Sequence, residues 1–386
     1  MSYSKKYRKI MEAFLTASKT ALKKLSEYYT ICIVLGNQTC DLDSAVCALA
    51  QGFCEYLNEN KKNEKKESVA VIPILNVTKK EFRIKTEVIY YFRQHGISEE
   101  LLTFRDQIDL NILTESRENK VEVVLVDHHV LANEDRTLVN SVVEIIDHRS
   151  QDVSWPWHGK TIHLEAVGSC ATLVARNLLI KHPEAVDAWL ANFLRGPILL
   201  DTCNFSKEAN RTAALDREIM ETLERISSLG SDRNQIYQGV LAAKTDISEL
   251  TPDDLILRDL KFESGVPFIG LPILIKDFLT LEGTLRAVEK FTESKKCMLA
   301  VLMGIDLKND HVIRDIAVFS LLTNGLENKI INALLGSTQP QLELTLEKRI
   351  KKEKYNIFLY KQGNICASRK QILPIIRETL SKERAC

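Results

Sequence analysis

The sequence predicts an α/β protein with a parallel-sheet domain followed by a smaller domain of mixed α/β structure. Short apolar runs that read as strands alternate with helical stretches in the first half, which is typical of βαβ units. Runs such as ICIVL and VEVVLV are continuously apolar, as expected for strands that are buried on both faces. A more charged helical stretch then separates this half from a second alternating region that begins near Pro267.

The elements of the first half follow from hydrophobic periodicity. Apolar runs predict strands over residues 31–35, 69–77, 121–126 and 142–146, and a further run over 191–200 that leads into Asp201. Helical spacing predicts helices over residues 44–57, 86–94 and 169–180. The helical, charged stretch is interpreted as a connector.

The second half continues with strands over 268–275, 297–305, 312–320 and 357–360, and with helices over 283–293, 326–335 and 371–381. The domain prediction is therefore a first domain over residues 1–205, a helical connector over 206–235 and a second domain over 236–383. A chain of 386 residues is long enough for two domains of ordinary size.

Composition restricts partners and compartment. Lys and Arg together number 52, as do Asp and Glu, so the net charge of zero argues against nucleic acid or an anionic membrane as a bulk partner. Nine cysteines without a CxxC pair predict free thiols in a reducing, cytoplasmic compartment. A basic helical pattern over the first thirty residues keeps the mitochondrial matrix as the alternative.

Four aspartate-bearing segments lie where strands are predicted to end. They contain Asp41 with Asp43, Asp127, Asp147 and Asp201, and the second and third continue with histidine. Ligands of parallel sheets bind outside the carboxyl ends of the strands, and Asp and His suit hard or borderline divalent metals. One such aspartate could be a loop cap, but four in one sheet predict a two-metal phosphoesterase centre.

The segments GNQTCDLDS, VDHH and IDHR resemble the DHH phosphoesterase superfamily, and within it the prune branch, which is related to exopolyphosphatases and family II inorganic pyrophosphatases. The resemblance covers nearly the whole chain, including residues 104–110, 167–172, 199–201 and 368–370. It implies a DHH domain followed by a DHHA2 domain, with the active site in the cleft between them. It also implies two divalent ions, Mn²⁺ or Mg²⁺.

The resemblance assigns metal ligands. Asp41 is expected to bind the first ion and Asp43 the second, Asp127 to bridge both, and His148 and Asp201 to complete the second site.

Two positions depart from the pyrophosphatase pattern. Asn37 stands where a histidine ligand is expected, and Arg149 replaces the second histidine of the DHH motif. An amide oxygen is a weaker ligand for a transition metal but suits Mg²⁺. Arg149 supplies a permanent charge and a forked donor set for phosphate, but it cannot act as a general acid at neutral pH. Both changes speak against efficient pyrophosphate hydrolysis.

The remaining site predictions concern three catalytic residues and four substrate-binding cations. Asp127, His128 and Arg149 are the predicted catalytic residues, and Arg149 is also a predicted substrate ligand. His129 is equally well explained as structural. Arg369 and Lys370 open the last helix and resemble the phosphate clamp of the family, and Lys261 matches a further substrate-binding lysine. Residues 168–172 either bring backbone amides to phosphate or form a tightly packed turn.

The predicted function is hydrolysis of short-chain polyphosphate, with cyclic-nucleotide (cAMP) phosphodiesterase activity as a second reaction that the resemblance implies. The alternative is an interaction protein with a degenerate site that binds nucleoside diphosphate kinase. A nucleic-acid exonuclease is less compatible with the zero net charge and the absence of an aromatic-basic stripe.

Overall fold

The structure is a computed structural model that describes residues 4–61, 68–115, 118–155, 157–227, 232–306, 312–321 and 325–384. It divides into two compact units, Met1–Ala243 and Lys244–Cys386. No described helix has the length and apolar character needed to cross a membrane.

The first unit is built on a six-stranded sheet in which every pair of neighbouring strands is parallel. Its strands are β1 (Thr30–Leu35), β2 (Val69–Leu75), β3 (Thr103–Phe104), β4 (Lys120–Val126), β5 (Val142–Asp147) and β6 (Thr161–Leu164). The order across the sheet is β3-β2-β1-β4-β5-β6. The order therefore reverses between β1 and β4, which makes the carboxyl ends of these two strands the topological switch point.

Eight α-helices are described in this unit. They are α1 (Ser4–Leu22), α2 (Leu42–Lys61), α3 (Thr86–Gln94), α4 (Leu110–Glu115), α5 (Cys170–Lys181), α6 (Ala188–Asp201), α7 (Ala214–Ser227) and α8 (Arg233–Thr245). Met11, Phe14 and Leu15 of α1 are buried. The basic N-terminal helix thus packs on the unit through its apolar stripe.

The run over residues 191–200 is a helix, so the expectation that Asp201 follows a strand is wrong. Asp201 is the last residue of α6, whose N-terminus is capped by the Asp187 carboxylate. Nearly every side chain from Leu190 to Leu200 is buried. A helix buried on all sides is apolar all round, and short apolar windows do not distinguish it from a buried strand.

The second unit holds a six-stranded mixed sheet of order β11-β12-β10-β9-β8-β7. Its strands are β7 (Leu260–Glu263), β8 (Val266–Leu271), β9 (Leu299–Asp306), β10 (Ile313–Leu321), β11 (Leu344–Lys351) and β12 (Tyr355–Gln362). Strands β8 and β9 are parallel and the other neighbours are antiparallel. Its helices are α9 (Pro252–Arg258), α10 (Ile275–Phe278), α11 (Thr284–Ser294), α12 (Leu326–Gly336) and α13 (Arg369–Arg384).

The predicted fold class, a parallel sheet followed by a smaller mixed domain, is confirmed. The sequence patterns missed the edge strands β3, β6, β7 and β11. Strand β11 reads LTLEKRIK and carries mostly exposed side chains, so it leaves no apolar run. The predicted connector covers α7 and the beginning of α8, and its residues 228–231 lie outside the described residues. The domain limits at 205 and 236 stay predictions.

Candidate metal centre

A group of polar side chains surrounds the switch point of the first sheet. The loop after β1 leads through Asn37 and Asp41 into the first turn of α2, which carries Asp43. Asp127 follows β4 directly, and His148 follows β5. Strands β1, β4 and β5 are consecutive neighbours, so the sheet brings these three connections to one edge.

Three of the predicted ligands form one compact cluster. Single ligand atoms of Asp43, Asp127 and His148 all lie within 4.8 Å of one another, and all three residues are buried. His148 Nε2 is 3.3 Å from Asp127 Oδ1 and 4.0 Å from Asp43 Oδ2. Two carboxylates and one imidazole at this spacing form a donor set suited to a hard or borderline divalent cation.

The tautomer of His148 follows from its second ring nitrogen. Nδ1 lies 3.1 Å from the Val167 carbonyl oxygen, which can only accept a hydrogen bond, so Nδ1 carries a proton. Nε2 therefore faces Asp127 and Asp43. A backbone carbonyl that orients an imidazole in this way is typical of histidine ligands in metal sites.

The Asp43 carboxylate is fixed by the beginning of α5. Its Oδ1 accepts hydrogen bonds from Ser169 Oγ and the Ala171 amide, both at 2.8 Å, and its Oδ2 accepts from the Cys170 amide at 2.7 Å. The amides of the 168–172 segment thus bind a carboxylate of the protein itself. Of the two interpretations of this segment, the structure favours a packed turn.

The cluster concentrates negative charge. Burial raises the pKa of Asp43 well above its usual value, and the nearby carboxylates of Asp127 and Asp201 raise it further. Burial alone lowers the pKa of His148, but its hydrogen bond to Asp127 and the charge of Asp43 outweigh burial and raise that pKa to about 9. Cationic charge is therefore favoured at this centre, which fits a divalent ion.

Asn37 contacts the cluster as a hydrogen-bond donor. The Thr39 backbone amide donates to Asn37 Oδ1 at 2.8 Å, and the Thr39 hydroxyl donates to the same atom. Since a backbone amide can only donate, this contact fixes the side-chain orientation. Asn37 Nδ2 then donates to Asp127 Oδ2 and, at 3.2 Å, to the Asp127 carbonyl oxygen. This geometry differs from the predicted role of Asn37 as an oxygen ligand.

Arg149 forms ion pairs with two buried carboxylates, those of Asp127 and Asp147. Arg149 Nη1 lies 3.0 Å from Asp127 Oδ1 and 2.9 Å from Asp147 Oδ1, and it also donates to the Asp127 carbonyl oxygen. Burial lowers the pKa of Arg149, but the two carboxylates more than compensate and raise it overall. Arg149 thus carries a fixed positive charge beside the cluster.

His129 is a structural residue of this network. Its Nδ1 lies 2.6 Å from Asp147 Oδ2, and its Nε2 accepts a hydrogen bond from the Asp152 amide at 2.9 Å. Both ring nitrogens are therefore used. Asp147, to which the sequence analysis assigned no role beyond its place at a strand end in the IDHR motif, contacts His129 and Arg149 at once.

The other first-unit predictions lie around the cluster. Asp41 Oδ1 accepts a hydrogen bond from the Ser44 amide at 3.1 Å and so caps α2, and Asp41 is not among the three clustered ligands. Asp201 is near enough to act on the charge of Asp43. His128 Nδ1 lies 3.0 Å from the Val126 carbonyl oxygen, and burial lowers the His128 pKa.

Cys40 occupies the tight turn of the first motif with a positive φ of 43°. Burial raises the pKa of its thiol to about 12, so the thiol stays protonated. This agrees with its interpretation as a small filler.

The other three predicted substrate cations, Lys261, Arg369 and Lys370, belong to the second unit. Arg369 donates to the Asp259 carbonyl oxygen at 3.0 Å and to Asp259 Oδ1 at 2.8 Å. Lys261 lies on β7 two residues after Asp259, and Lys370 is exposed in the first turn of α13. Their contact with a substrate stays a prediction.

Comparisons with known proteins agree with this architecture. The model of the DHHA2 domain family matches residues 238–379. Exopolyphosphatase PRUNE1 from Homo sapiens is 32% identical over 379 residues, which cover 96% of this chain and 80% of the human protein. The manganese-dependent inorganic pyrophosphatase of Methanothrix thermoacetophila is 30% identical over 206 residues, which cover 51% of this chain and 63% of that protein.

Among solved structures, a Methanococcus jannaschii protein described as a family II inorganic pyrophosphatase matches with a TM-score of 0.61 at 18% identity. The match covers 91% of this chain and 99% of that chain. At this identity the likeness supports the fold.

Proposed function

Because this chain belongs to the prune family of the DHH phosphoesterase superfamily, we propose that it is a divalent-metal-dependent exopolyphosphatase acting on short-chain polyphosphate. The observation that carries the proposal is the buried cluster of Asp43, Asp127 and His148 at the switch point of a parallel sheet. A human relative named exopolyphosphatase supports the substrate class, and a relative named a manganese-dependent pyrophosphatase supports the metal class.

Two divalent ions, Mn²⁺ or Mg²⁺, are proposed as the cofactors. Asp43, Asp127, His148 and Asp201 would hold one ion, and Asp41 with Asp127 would hold the other. When bound, such ions supply an activated water nucleophile and neutralise charge on the phosphoryl group. The donor orientation of Asn37 makes the site of the first ion, the one that Asp41 would hold, poorer in ligands than its pyrophosphatase counterpart.

The protein's own groups would position the phosphates. Asp127 would contribute a ligand to both predicted ion sites. Arg149 carries a fixed charge and a forked donor set, which bind phosphate oxygens and stabilise charge that develops during phosphoryl transfer. His128 would accept a proton at Nε2, because its Nδ1 donates a hydrogen bond to the Val126 carbonyl oxygen. Lys261, Arg369 and Lys370 are proposed to bind the remaining phosphates.

A substrate panel tests this proposal. The full chain is incubated with Mn²⁺ or Mg²⁺ and tripolyphosphate, tetrapolyphosphate, pyrophosphate or cAMP, and released phosphate or AMP is measured. We expect phosphate release from the two polyphosphates, slow release from pyrophosphate, and loss of release in EDTA. Turnover of cAMP would establish the phosphodiesterase reaction as a second activity.

The Asp127→Asn variant should lose at least about 100-fold in rate, since the loss of a ligand should exceed that of an outer-shell partner. The matched control is Asp135→Asn, which removes another buried carboxylate of the same unit, paired with Arg105 at 2.8 Å. Equal rates for Asp127→Asn and the unaltered chain would contradict the proposal.

The alternative function is binding of nucleoside diphosphate kinase through a degenerate site. The departures at Asn37 and Arg149 favour this alternative. Both side chains place hydrogen-bond donors against the Asp127 carboxylate, where a metal-binding site would need Asp127 to contact a cation. A chain that binds the kinase but takes up no Mn²⁺ would select this alternative. For either function we propose a cytoplasmic location, with the mitochondrial matrix as the alternative.

A further inference from the structure

The turn at residues 168–172 is held from two sides by buried carboxylates. Asp43 binds one side of it through the Ser169 hydroxyl and the next two amides. On the other side, Asp216 Oδ2 accepts from the Gly168 amide at 2.8 Å, and its Oδ1 accepts from Thr172 Oγ1 at 2.6 Å. Asp216 has no solvent-exposed surface.

Asp216 also ties this turn to the segment that follows Asp201. Its Oδ2 accepts a third hydrogen bond, at 2.7 Å, from the Ala213 amide, just before α7 begins. A side chain at Gly168 would lie 2.6 Å from both the Arg211 carbonyl oxygen and Thr202 Cγ2. The turn that orients Asp43 therefore packs directly against the residue next to Asp201.

From this arrangement we infer that Asp216 is a positioning residue for the metal centre, acting through the 168–172 turn on Asp43 and Asp201. The inference rests on the proposed metal centre and deepens it. Two amides and one hydroxyl donate to this single carboxylate, whose negative charge strengthens each hydrogen bond. Asparagine has one acceptor oxygen and no charge, so its NH₂ group would face either an amide donor or the Thr172 hydroxyl, which would then have to accept, and the turn would be held less firmly.

The test is a Mn²⁺ titration of the full chain by calorimetry, with thermal unfolding of the same samples. In Asp216→Asn we expect the dissociation constant for Mn²⁺ to rise about 10-fold, as is usual when outer-shell partners of metal ligands are removed. Thr172→Val removes one of the three hydrogen bonds and should weaken Mn²⁺ binding to a smaller extent.

The matched control is Asp187→Asn. Asp187 is another helix-capping carboxylate of the same unit, and it accepts hydrogen bonds from the Trp189 and Leu190 amides at the far end of α6. Asparagine keeps the accepting Oδ1 and is as good an N-cap as aspartate, so this variant should retain both its unfolding temperature and its affinity for Mn²⁺. A purely structural role of Asp216 would lower the unfolding temperature of Asp216→Asn and leave its affinity for Mn²⁺ unchanged.

Unchanged Mn²⁺ affinity in Asp216→Asn would overturn the inference, as would an equal loss in Asp187→Asn. If Asp216→Asn does not fold, Thr172→Val decides, and unaltered affinity in that variant overturns the inference. Absence of Mn²⁺ binding by the unaltered chain is a different result, because it refutes the proposed metal centre itself.

Discussion

At the scale of single residues, Asp127 is the point where the contacts of the site meet. It accepts a hydrogen bond from the Asn37 amide, and it lies within 3.3 Å of His148 and 3.0 Å of Arg149. Three groups with donor character therefore surround one buried carboxylate. Asp127 itself follows β4, and its partners come from the loops after β1 and β5, which explains why the motifs recur at strand ends.

Asn37→Asp tests the donor role of that side chain. The change replaces an NH₂ donor by a carboxylate oxygen facing Asp127, so without divalent ions it should cost about 1–3 kcal/mol of stability. Added Mn²⁺ should then raise the unfolding temperature by more than it does in the unaltered chain, since the new oxygen can bind a cation.

The control for this prediction is Asn58→Asp on α2. Asn58 Nδ2 donates to Glu55 Oε2 at 3.1 Å, so the substitution creates the same kind of repulsion away from the cluster. It should lower stability without extra rescue by Mn²⁺. Equal rescue in the two variants would show that Asn37 has no special relation to a cation.

The sequence identified the members of the site better than their roles. Aspartates and histidines at strand ends indicated a metal site, and the family resemblance assigned Asp43, Asp127 and His148 to it. The amide orientation of Asn37 depends on Thr39, and the function of Asp147 depends on two partners that approach from other segments. Such roles arise from three-dimensional contacts, which no local pattern of the sequence encodes.

At the scale of elements, the beginning of α5 determines how the site is oriented. Amides in the first turn of a helix have no partner within the helix and favour negative charge. Here they bind the Asp43 carboxylate, which is carried by the first turn of α2. The beginnings of α2 and α5 thus meet at the Asp43 carboxylate. The turn before α5 needs glycine at position 168, because the neighbouring backbone leaves no space for a side chain.

Gly168→Ala is expected to destabilise the first unit by about 1–3 kcal/mol, as overpacking in a close-packed interior does. The added Cβ would lie 2.6 Å from the Arg211 carbonyl oxygen, a backbone atom that cannot move without the loop. Urea unfolding measures the effect. Gly336→Ala at the end of α12 is the control, because no neighbouring atom lies within 4 Å of its added Cβ and its stability should stay within about 0.5 kcal/mol. Equal stability of the two variants would refute the steric argument.

Periodicity located most central elements within a few residues, since strands buried on both faces leave continuous apolar runs. It failed for α6, where an apolar helix is buried on all sides and reads like a strand. It also failed at the sheet edges, where one side of the strand faces solvent and charged residues replace the apolar pattern. Both failures follow from burial, which the local sequence reports only indirectly.

At the scale of the whole molecule, a zero net charge is compatible with an anionic substrate. The cationic side chains that we propose to bind phosphate are few, with Arg149 in the first unit and Lys261, Arg369 and Lys370 in the second. The negatively charged cluster of the first unit favours cations, so a bound metal ion would add positive charge at that site. The fold and family are therefore consistent with a phosphohydrolase that carries no general affinity for polyanions.

The central claim is that Asp43, Asp127 and His148 form a divalent-metal centre, and a Mn²⁺ titration of the full chain tests it most directly. Calorimetry or the electron paramagnetic resonance signal of free Mn²⁺ reports the affinity. We predict saturable binding by the unaltered chain and by Asp135→Asn, and loss of that binding in Asp127→Asn. Binding that persists in Asp127→Asn, or no binding by the unaltered chain, would contradict the claim.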